Sequence, residues 1–229
     1  MPFQKSTYEQ LYSELKLNGV DLIAVSKTKP NSDLMEGYEI GVRDFGENYV
    51  QELTEKAAAL PKDIRWHFIG HLQTNKVKYI APFVHLIHGV DSAKLLLEIN
   101  KQGKKINRVI HCLLQIHIAT EESKFGLNAS EFNAIVQHHL LNQSPEKLEF
   151  VSVDGLMGMA SFTEDKNKIQ TEFSELSTLF HTFKIEKDLT HTPTILSMGM
   201  SSDYPIALET GSNMIRVGSL LFGQRNYTK

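Results

Sequence analysis

The sequence predicts a closed (β/α)8 barrel, read as one domain over residues 1–229 with an extra helix ahead of the first strand. Three observations predict it. Short apolar runs rich in β-branched residues alternate with helical stretches about eight times, the order that gives a parallel sheet with right-handed crossovers. About eight such units fit into roughly 200 residues, which points to a closed barrel with short loops. The fifth run also has two different sides, Ile110, Cys112, Leu114, Ile116 and Ile118 against His111, Leu113, Gln115 and His117. Outer helices would cover the first side, and the second would line the lumen. An open doubly wound sheet is the competing arrangement.

Residues 6–17 read as a polar helix with Tyr8, Leu11, Tyr12 and Leu15 on its inner face, closed by Asn18-Gly19. The first strand covers residues 22–25, apolar on both faces, and gives way at Lys27 to Thr28-Lys29-Pro30. Pro30 biases Lys29 away from helix. A lysine at the carboxyl end of a buried strand is hard to keep charged, and desolvation favours its nucleophilic neutral amine. Taken alone, this stretch is read more simply as a lysine snorkelling to solvent. Asn31-Ser32-Asp33 offers a helix cap, with Leu34, Met35 and Tyr38 facing inward and a stop at Gly41.

A second strand at 42–45 opens into Gly46-Glu47-Asn48, followed by a helix over 49–60 that ends at Pro61. The third strand spans 66–70, with a helix around 75–80, and the fourth spans 84–90, with a helix from 92 to about 101. The fifth strand, 109–118, precedes a helix over about 130–141. The sixth, 150–156, leads through Gly158 into a longer helix on which Ile169, Phe173, Leu176 and Phe180 recur at helical spacing. The seventh covers 194–198, with a short helix over 203–209 stopped by Gly211, and the eighth covers 214–217. In the eighth, Ile215 and Val217 face outward and Met214, Arg216 and Gly218 inward.

Hydrophobic residues make up 41% and charged residues 22% of the chain, ordinary globular composition with enough apolar material for a sizeable core. The formal net charge is -3, and the nearest thing to a basic block, Lys101, Lys104 and Lys105, reads as a solvated helix end. Nucleic-acid binding therefore has no electrostatic support. Cys112 is the one cysteine, so no intrachain disulfide forms, which fits a reducing compartment. Its apolar neighbours make it a buried structural thiol. Met1-Pro2-Phe3-Gln4-Lys5 lacks the apolar core of a signal peptide, and no apolar run is long enough to span a bilayer. The expectation is a cytoplasmic protein without membrane or nucleic-acid partners.

Barrels of this kind place chemistry at the carboxyl ends of their strands, often with a phosphate held by the loops after strands seven and eight. Met198-Gly199-Met200-Ser201-Ser202-Asp203 and Gly218-Ser219 supply suitable small residues at both places. Ordinary turns with an aspartate cap are the plainer alternative. Arg216 would sit deep in the same pocket, where a guanidinium needs a partner. That partner is either a lumen carboxylate such as Asp154 or the ring nitrogen of a ligand. A lysine on strand one, an inward arginine on strand eight and an anion cradle between strands seven and eight suit pyridoxal phosphate. His67 and His71 lie four apart on strand and loop without a helical HExxH context, so no metal site is expected. His138 and His139 read as a solvated helix face.

Seven stretches carry a family resemblance. They are Ala24-Val25-Ser26-Lys27-Thr28-Lys29-Pro30, Phe45-Gly46-Glu47-Asn48-Tyr49-Val50-Gln51-Glu52, Trp66-His67-Phe68-Ile69-Gly70-His71-Leu72-Gln73, Glu122-Ser123-Lys124-Phe125-Gly126-Leu127, Gly155-Leu156-Met157-Gly158-Met159, Ser197-Met198-Gly199-Met200-Ser201 and Arg216-Val217-Gly218. Over nearly its whole length the chain resembles the pyridoxal phosphate homeostasis proteins, related to the N-terminal barrel of bacterial alanine racemase. The resemblance implies a TIM barrel of that type, with pyridoxal 5'-phosphate held as a Schiff base on Lys27. It further implies that Ser201, Gly218 and Ser219 hold the phosphate, that Arg216 faces the pyridine nitrogen, and that Asn48 and Met200 lie beside the cofactor. Two positions depart from the family pattern. His117 stands where asparagine is expected, and Ser219 where threonine is usual.

An arginine at the pyridine nitrogen disfavours its protonation and weakens the ring as an electron sink. Racemases complete the chemistry with a tyrosine from a second domain, which a chain ending at Lys229 just after strand eight is expected to lack. No replacement tyrosine stands out in the sequence, with Tyr49 left open for that role. The expectation is a monomeric, non-catalytic carrier in vitamin B6 homeostasis, buffering the cofactor or delivering it to apo-enzymes, with no catalytic residues and no metal. An amino-acid racemase using Lys27 is the alternative, and a Schiff-base aldolase is a third reading.

Overall fold

The structure, a computed structural model, describes residues 3–121, 125–143 and 148–223. Eight parallel strands close into a barrel in chain order: β1 (Asp21–Val25), β2 (Asp44–Glu47), β3 (Arg65–Phe68), β4 (Leu86–Val90), β5 (Ile110–Gln115), β6 (Val151–Met157), β7 (Ile195–Met200) and β8 (Met214–Val217). Each strand pairs with its sequence neighbour, and the β1 pairing with β8, Leu22 opposite Ile215 and Ala24 opposite Val217, closes the ring. An open sheet is thereby excluded.

The outer layer consists of α1 (Lys5–Leu17), α2 (Asn31–Glu39), α3 (Val50–Ala59), α4 (Val77–Ile80), α5 (Ala93–Ile106), α6 (Ala129–Ile135), α7 (Lys166–Lys184), α8 (Tyr204–Glu209) and α9 (Ser219–Phe222). The extra helix α1 braces the closing seam. Phe3 packs edge-on against Phe222 of α9, and the Gln4 amide donates to the Leu221 carbonyl at 2.8 Å.

Alternation along the strands divides the apolar residues into two sets. Outward residues such as Leu22, Phe45, Ile87, Cys112, Leu114, Ile215 and Val217 join the helices in one continuous core. Inward residues Ile23, Leu86, Leu113, Met157 and Met214 form a small separate cluster inside the barrel. The facing expected for β5 and β8 holds, and Cys112 is fully buried among apolar neighbours, which push its thiol pKa far up.

Several boundaries differ from expectation, each for a local reason. Strand β5 ends at Gln115, not at residue 118. The Leu127 amide donates to the Gln115 carbonyl and the His117 amide to the Leu127 carbonyl, so the chain beyond β5 pairs with its own returning loop. His117 therefore leaves the strand wall, and its Nε2 donates to the Glu121 carbonyl at 3.0 Å. Strand β7 runs two residues further than expected, to Met200 opposite Arg216, through a register shift at Gly199.

Pro30, not Asn31, takes the cap position of α2. Helix α5 passes Gly103, whose bare face lets the Phe150 and Arg108 carbonyls approach, and stops at left-handed Asn107. A π-helical turn over Val136–Leu140 rotates the following side chains and buries His139, although His138 remains exposed. Tyr12 of α1 is exposed, stacked on Tyr8. Glu122, Ser123 and Lys124 of the fourth matching stretch lie outside the described residues, as do Met1 and Pro2.

Gly155 marks where barrel curvature leaves no room. A Cβ there would stand 1.8 Å from the Ile195 carbonyl oxygen on the paired strand. Gly155→Ala is expected to destabilise the fold by roughly 3 kcal/mol, because backbone and not a flexible side chain must move. Urea unfolding measures this, and a loss within error of zero would contradict the register of β6 against β7.

Candidate cofactor site

Lys27 follows the last residue of β1 by two positions, continuing the inward series Asp21, Ile23 and Val25. It is half-buried, and its neighbours fix the turn that presents it. The Ser26 amide donates to the Gly46 carbonyl at 2.9 Å, and the Ser26 hydroxyl to Glu47 Oε1 at 2.6 Å. Lys56 of α3 donates from Nζ to the Ser26 carbonyl at 2.9 Å, to Glu47 at 2.7 Å and to Glu52 at 2.7 Å. The amide of Thr28, left-handed at φ 64°, donates to Glu52 at 2.6 Å. Lys29 is carried away, its Nζ donating to the Phe222 carbonyl at 2.6 Å.

Glu47 and Lys56 are both buried behind β2. Burial pushes the Glu47 carboxyl up, against the opposing pull of the Lys56 ammonium and the Ser26 hydroxyl.

The two loops expected to form an anion cradle meet. Gly218 donates its amide to Ser201 Oγ at 3.2 Å, joining the end of β8 to the end of β7. A Cβ on Gly218 would lie 3.3 Å from both Cβ and O of Val25, so this loop also packs on the end of β1. Gly199 adopts φ 96°, and Asp203 accepts the Met200 amide at 2.6 Å, folding the β7 loop back. Ser201 and Met200 are half-buried, and Ser219 opens the short helix α9 on the exposed side.

Arg216 is 4% exposed. Its Nη1 donates to Ser197 Oγ at 2.6 Å and its Nη2 to the Gly158 carbonyl at 3.1 Å. A salt bridge to Asp154 is not what holds it. Asp154 lies nearer the amino ends of the strands, accepting from His111 at 2.7 Å and Ser152 at 2.6 Å. Burial lowers the Arg216 pKa to about 10, opposed by the charge of Asp203, so the guanidinium is cationic at neutral pH.

Asn48 directly follows β2, and its Oδ1 is buried without a hydrogen-bond partner. Such an orphan acceptor is rare in a folded protein and suits a ligand hydroxyl or N–H. Residues from four strand ends, β1, β2, β7 and β8, thus offer an amine for a carbonyl group, a cradle for an anion, a buried cationic donor and an unmatched acceptor. That chemistry fits pyridoxal phosphate. His88 and Ser197, to which the sequence pattern assigns no site role, also belong to this region. Their inward parity in β4 and β7 was the available signal.

Fold and site together define a barrel of the alanine racemase type, and the model of the family "Alanine racemase, N-terminal domain" matches residues 7–226. The chain is 42% identical over 218 residues to the pyridoxal phosphate homeostasis protein of Homo sapiens, covering 91% of this chain and 78% of that one. It is 35% identical over 225 residues to the protein of that name from Synechocystis, covering 97% and 99%. Among solved structures, PipY of Synechococcus elongatus with PLP bound aligns with a TM-score of 0.81 at 33% identity, over 95% of this chain and 100% of that one. The chain belongs to the pyridoxal phosphate homeostasis protein family.

Lys56→Met would leave Glu47 buried with one hydroxyl donor, and the Ser26 carbonyl with the Lys29 amide as its remaining donor. It is expected to destabilise the protein by roughly 3 kcal/mol, whereas Lys56→Met combined with Glu47→Leu recovers most of that loss. Chemical denaturation of both variants measures this, and equal stability of the single variant and the parent would show that the pair does not brace the Lys27 turn.

Proposed function

We propose that the protein holds pyridoxal 5'-phosphate as a Schiff base on Lys27 and takes part in vitamin B6 homeostasis, buffering or delivering the cofactor with little or no turnover of amino acids. In this reading Ser201, Gly218 and Ser219 hold the phosphate and Arg216 donates to the pyridine nitrogen. Asn48 and Met200 line the pocket. The observation that carries it is that β1, which ends two residues before Lys27, pairs with β8 and approaches Gly218 through Val25, while the Gly218 amide joins that loop to Ser201. PLP bound in the PipY structure supports the choice of cofactor.

The bound cofactor supplies an electrophilic carbonyl and an electron-withdrawing ring. The protein's residues decide how far that ring is used. Arg216 has only protons to give, so it donates to the ring nitrogen and disfavours a proton there. Tyr49, left open as a second base, is 59% exposed, which favours holding over turnover. Delivery implies apo-enzymes that need the cofactor as partners, with the protein acting as a monomer in the cytoplasm. The single buried Cys112 suits that compartment. Among the described residues no helix is long and apolar enough to cross a membrane.

Borohydride reduction of the pyridoxal phosphate-loaded protein, followed by peptide mass spectrometry, is expected to fix the label on Lys27. Lys27→Ala is expected to lose the visible absorption band and bind roughly 100-fold more weakly, about 2.7 kcal/mol. Label on Lys29 would overturn the assignment. Racemisation of single amino-acid enantiomers by the loaded protein, abolished by Lys27→Ala, would replace the carrier reading with the racemase one.

A further inference from the structure

The lumen holds a column of polar groups that the proposed cofactor contacts do not use. Asp44 opens β2 and His67 lies on β3, with His67 Nε2 3.1 Å from Asp44 Oδ1. His67 Nδ1 is 3.0 Å from Nε2 of the fully buried His88 on β4, and His88 Nδ1 is 3.3 Å from Ser197 Oγ on β7. Ser197 Oγ accepts from Arg216 Nη1 at 2.6 Å. Five side chains from five strands therefore connect the floor of the barrel to the pocket guanidinium. The inward apolar residues Ile23, Leu86, Leu113, Met157 and Met214 share this lumen, where low polarity strengthens each link.

One set of proton positions satisfies both ends with a single proton on each ring. Arg216 can only donate, so Ser197 accepts from it and has one proton to give. That proton goes to His88 Nδ1, which must then be bare, leaving the His88 proton on Nε2. His88 Nε2–H donates to His67 Nδ1, and His67 Nε2–H donates to Asp44, whose carboxylate can only accept. In this arrangement each histidine carries one ring proton, with one donor and one acceptor, and every hydrogen bond points the same way. Burial, with the charge of Arg216 adding to it, pushes the His88 pKa well down and keeps that ring neutral. Burial alone would raise the Asp44 pKa, but hydrogen bonds from His67 and Arg65 hold it at about 2, so its end of the chain stays an acceptor.

We infer that Asp44, His67, His88 and Ser197 form a one-way hydrogen-bond relay that orients Arg216 from the floor of the barrel, which makes them positioning residues for the pocket. The floor end opens into a cavity of about 390 Å³ lined by Asp44, Arg65, His67, His85, His111 and Asp154 among others. If Asp44 were replaced by a group that can donate, every link could reverse. His67 would then give its Nδ1 proton to His88, and His88 would give its own to Ser197. Ser197 would then accept from both His88 and Arg216, filling both lone pairs, and its own proton would turn to a different acceptor, which changes how the hydroxyl meets the guanidinium. A change at the amino-terminal end of the strands would thus be felt by a side chain near their carboxyl ends.

Nitrogen-15 NMR of the histidines in the unloaded full-length chain tests the relay without any ligand. Protons on Nε2 of both His67 and His88 are expected, and an Nδ1 proton on His88 overturns the proposal. Asp44→Asn is expected to move the His88 proton to Nδ1 with little change in melting temperature, and an unmoved proton overturns it as well. The second measurement rests on the cofactor reading above. In protein loaded with pyridoxal phosphate, Asp44→Asn and Ser197→Ala are expected to shift the visible absorption maximum in the same direction. The double variant should shift it no further than Ser197→Ala alone. Ser197→Thr keeps the hydroxyl and should restore the parent spectrum. Additive shifts, or no shift from Asp44→Asn, overturn the relay. A parent protein with no visible band defeats the cofactor reading instead, and the NMR result then decides the relay by itself.

Discussion

The pairing of β1 with β8 is the constraint on which the rest depends. Leu22 opposite Ile215 and Ala24 opposite Val217 turn an alternating chain into a ring, and only in a ring are the first and last strands neighbours. Lys27 and Gly218 are far apart in sequence, yet this pairing puts their turns in van der Waals contact through Val25. The seam is also the place where α1 and α9 pack together, which explains why a helix ahead of the first strand belongs to the barrel. Opening the seam would separate the amine from the cradle while leaving each strand's local sequence intact.

A parallel barrel of this size ordinarily fills its lumen with branched apolar side chains. This one keeps only five fully inward apolar residues together and threads polar groups past them. Buried polar groups are tolerable only when matched, and here nearly all are matched by each other. Ser26, Glu47, Lys56 and Glu52 form one such set behind the Lys27 turn, and Asp44, His67, His88, Ser197 and Arg216 form another along the axis. Among the described residues the exceptions are Oε2 of Glu47 and Oδ1 of Asn48. On the proposed reading Asn48 lies beside the ligand, which would supply the donor its Oδ1 lacks.

The alternation of strands and helices, the outward side of β5 and the positions of Lys27, Arg216 and the two glycine-containing turns could all be read from local pattern. These depend on the two-residue period of strands and on which residues tolerate tight turns, both local properties. What could not be read depended on partners distant in the chain. The alternating pattern of β5 continues to Ile118 and so puts His117 in the wall, but the returning loop at Leu127 captures the backbone first. His139 looked solvated until a π-helical turn rotated it inward. Lys56 sat unnoticed in a helix of ordinary composition, since nothing in its own neighbourhood shows that Glu47 and the Ser26 carbonyl converge on it. His67 drew attention for its spacing to His71, whereas its actual partner is His88, one strand over.

The manner in which Arg216 is held bears on whether such a site turns substrate over. Its two direct protein partners are a hydroxyl and a carbonyl, both neutral, with no carboxylate bonded to it. A guanidinium paired with a carboxylate would present a nearly cancelled charge to its surroundings. One held by neutral acceptors presents most of its positive charge, softened here only by Asp203. A pyridine nitrogen meeting that charge would be a poor place for a proton, and without that proton the ring withdraws electrons weakly. The relay reinforces the arrangement, because a chain that ends on Asp44 takes protons away from the pocket and cannot supply one to it. On the proposed reading, the residues that grip the ring are therefore the same ones that restrain its chemistry.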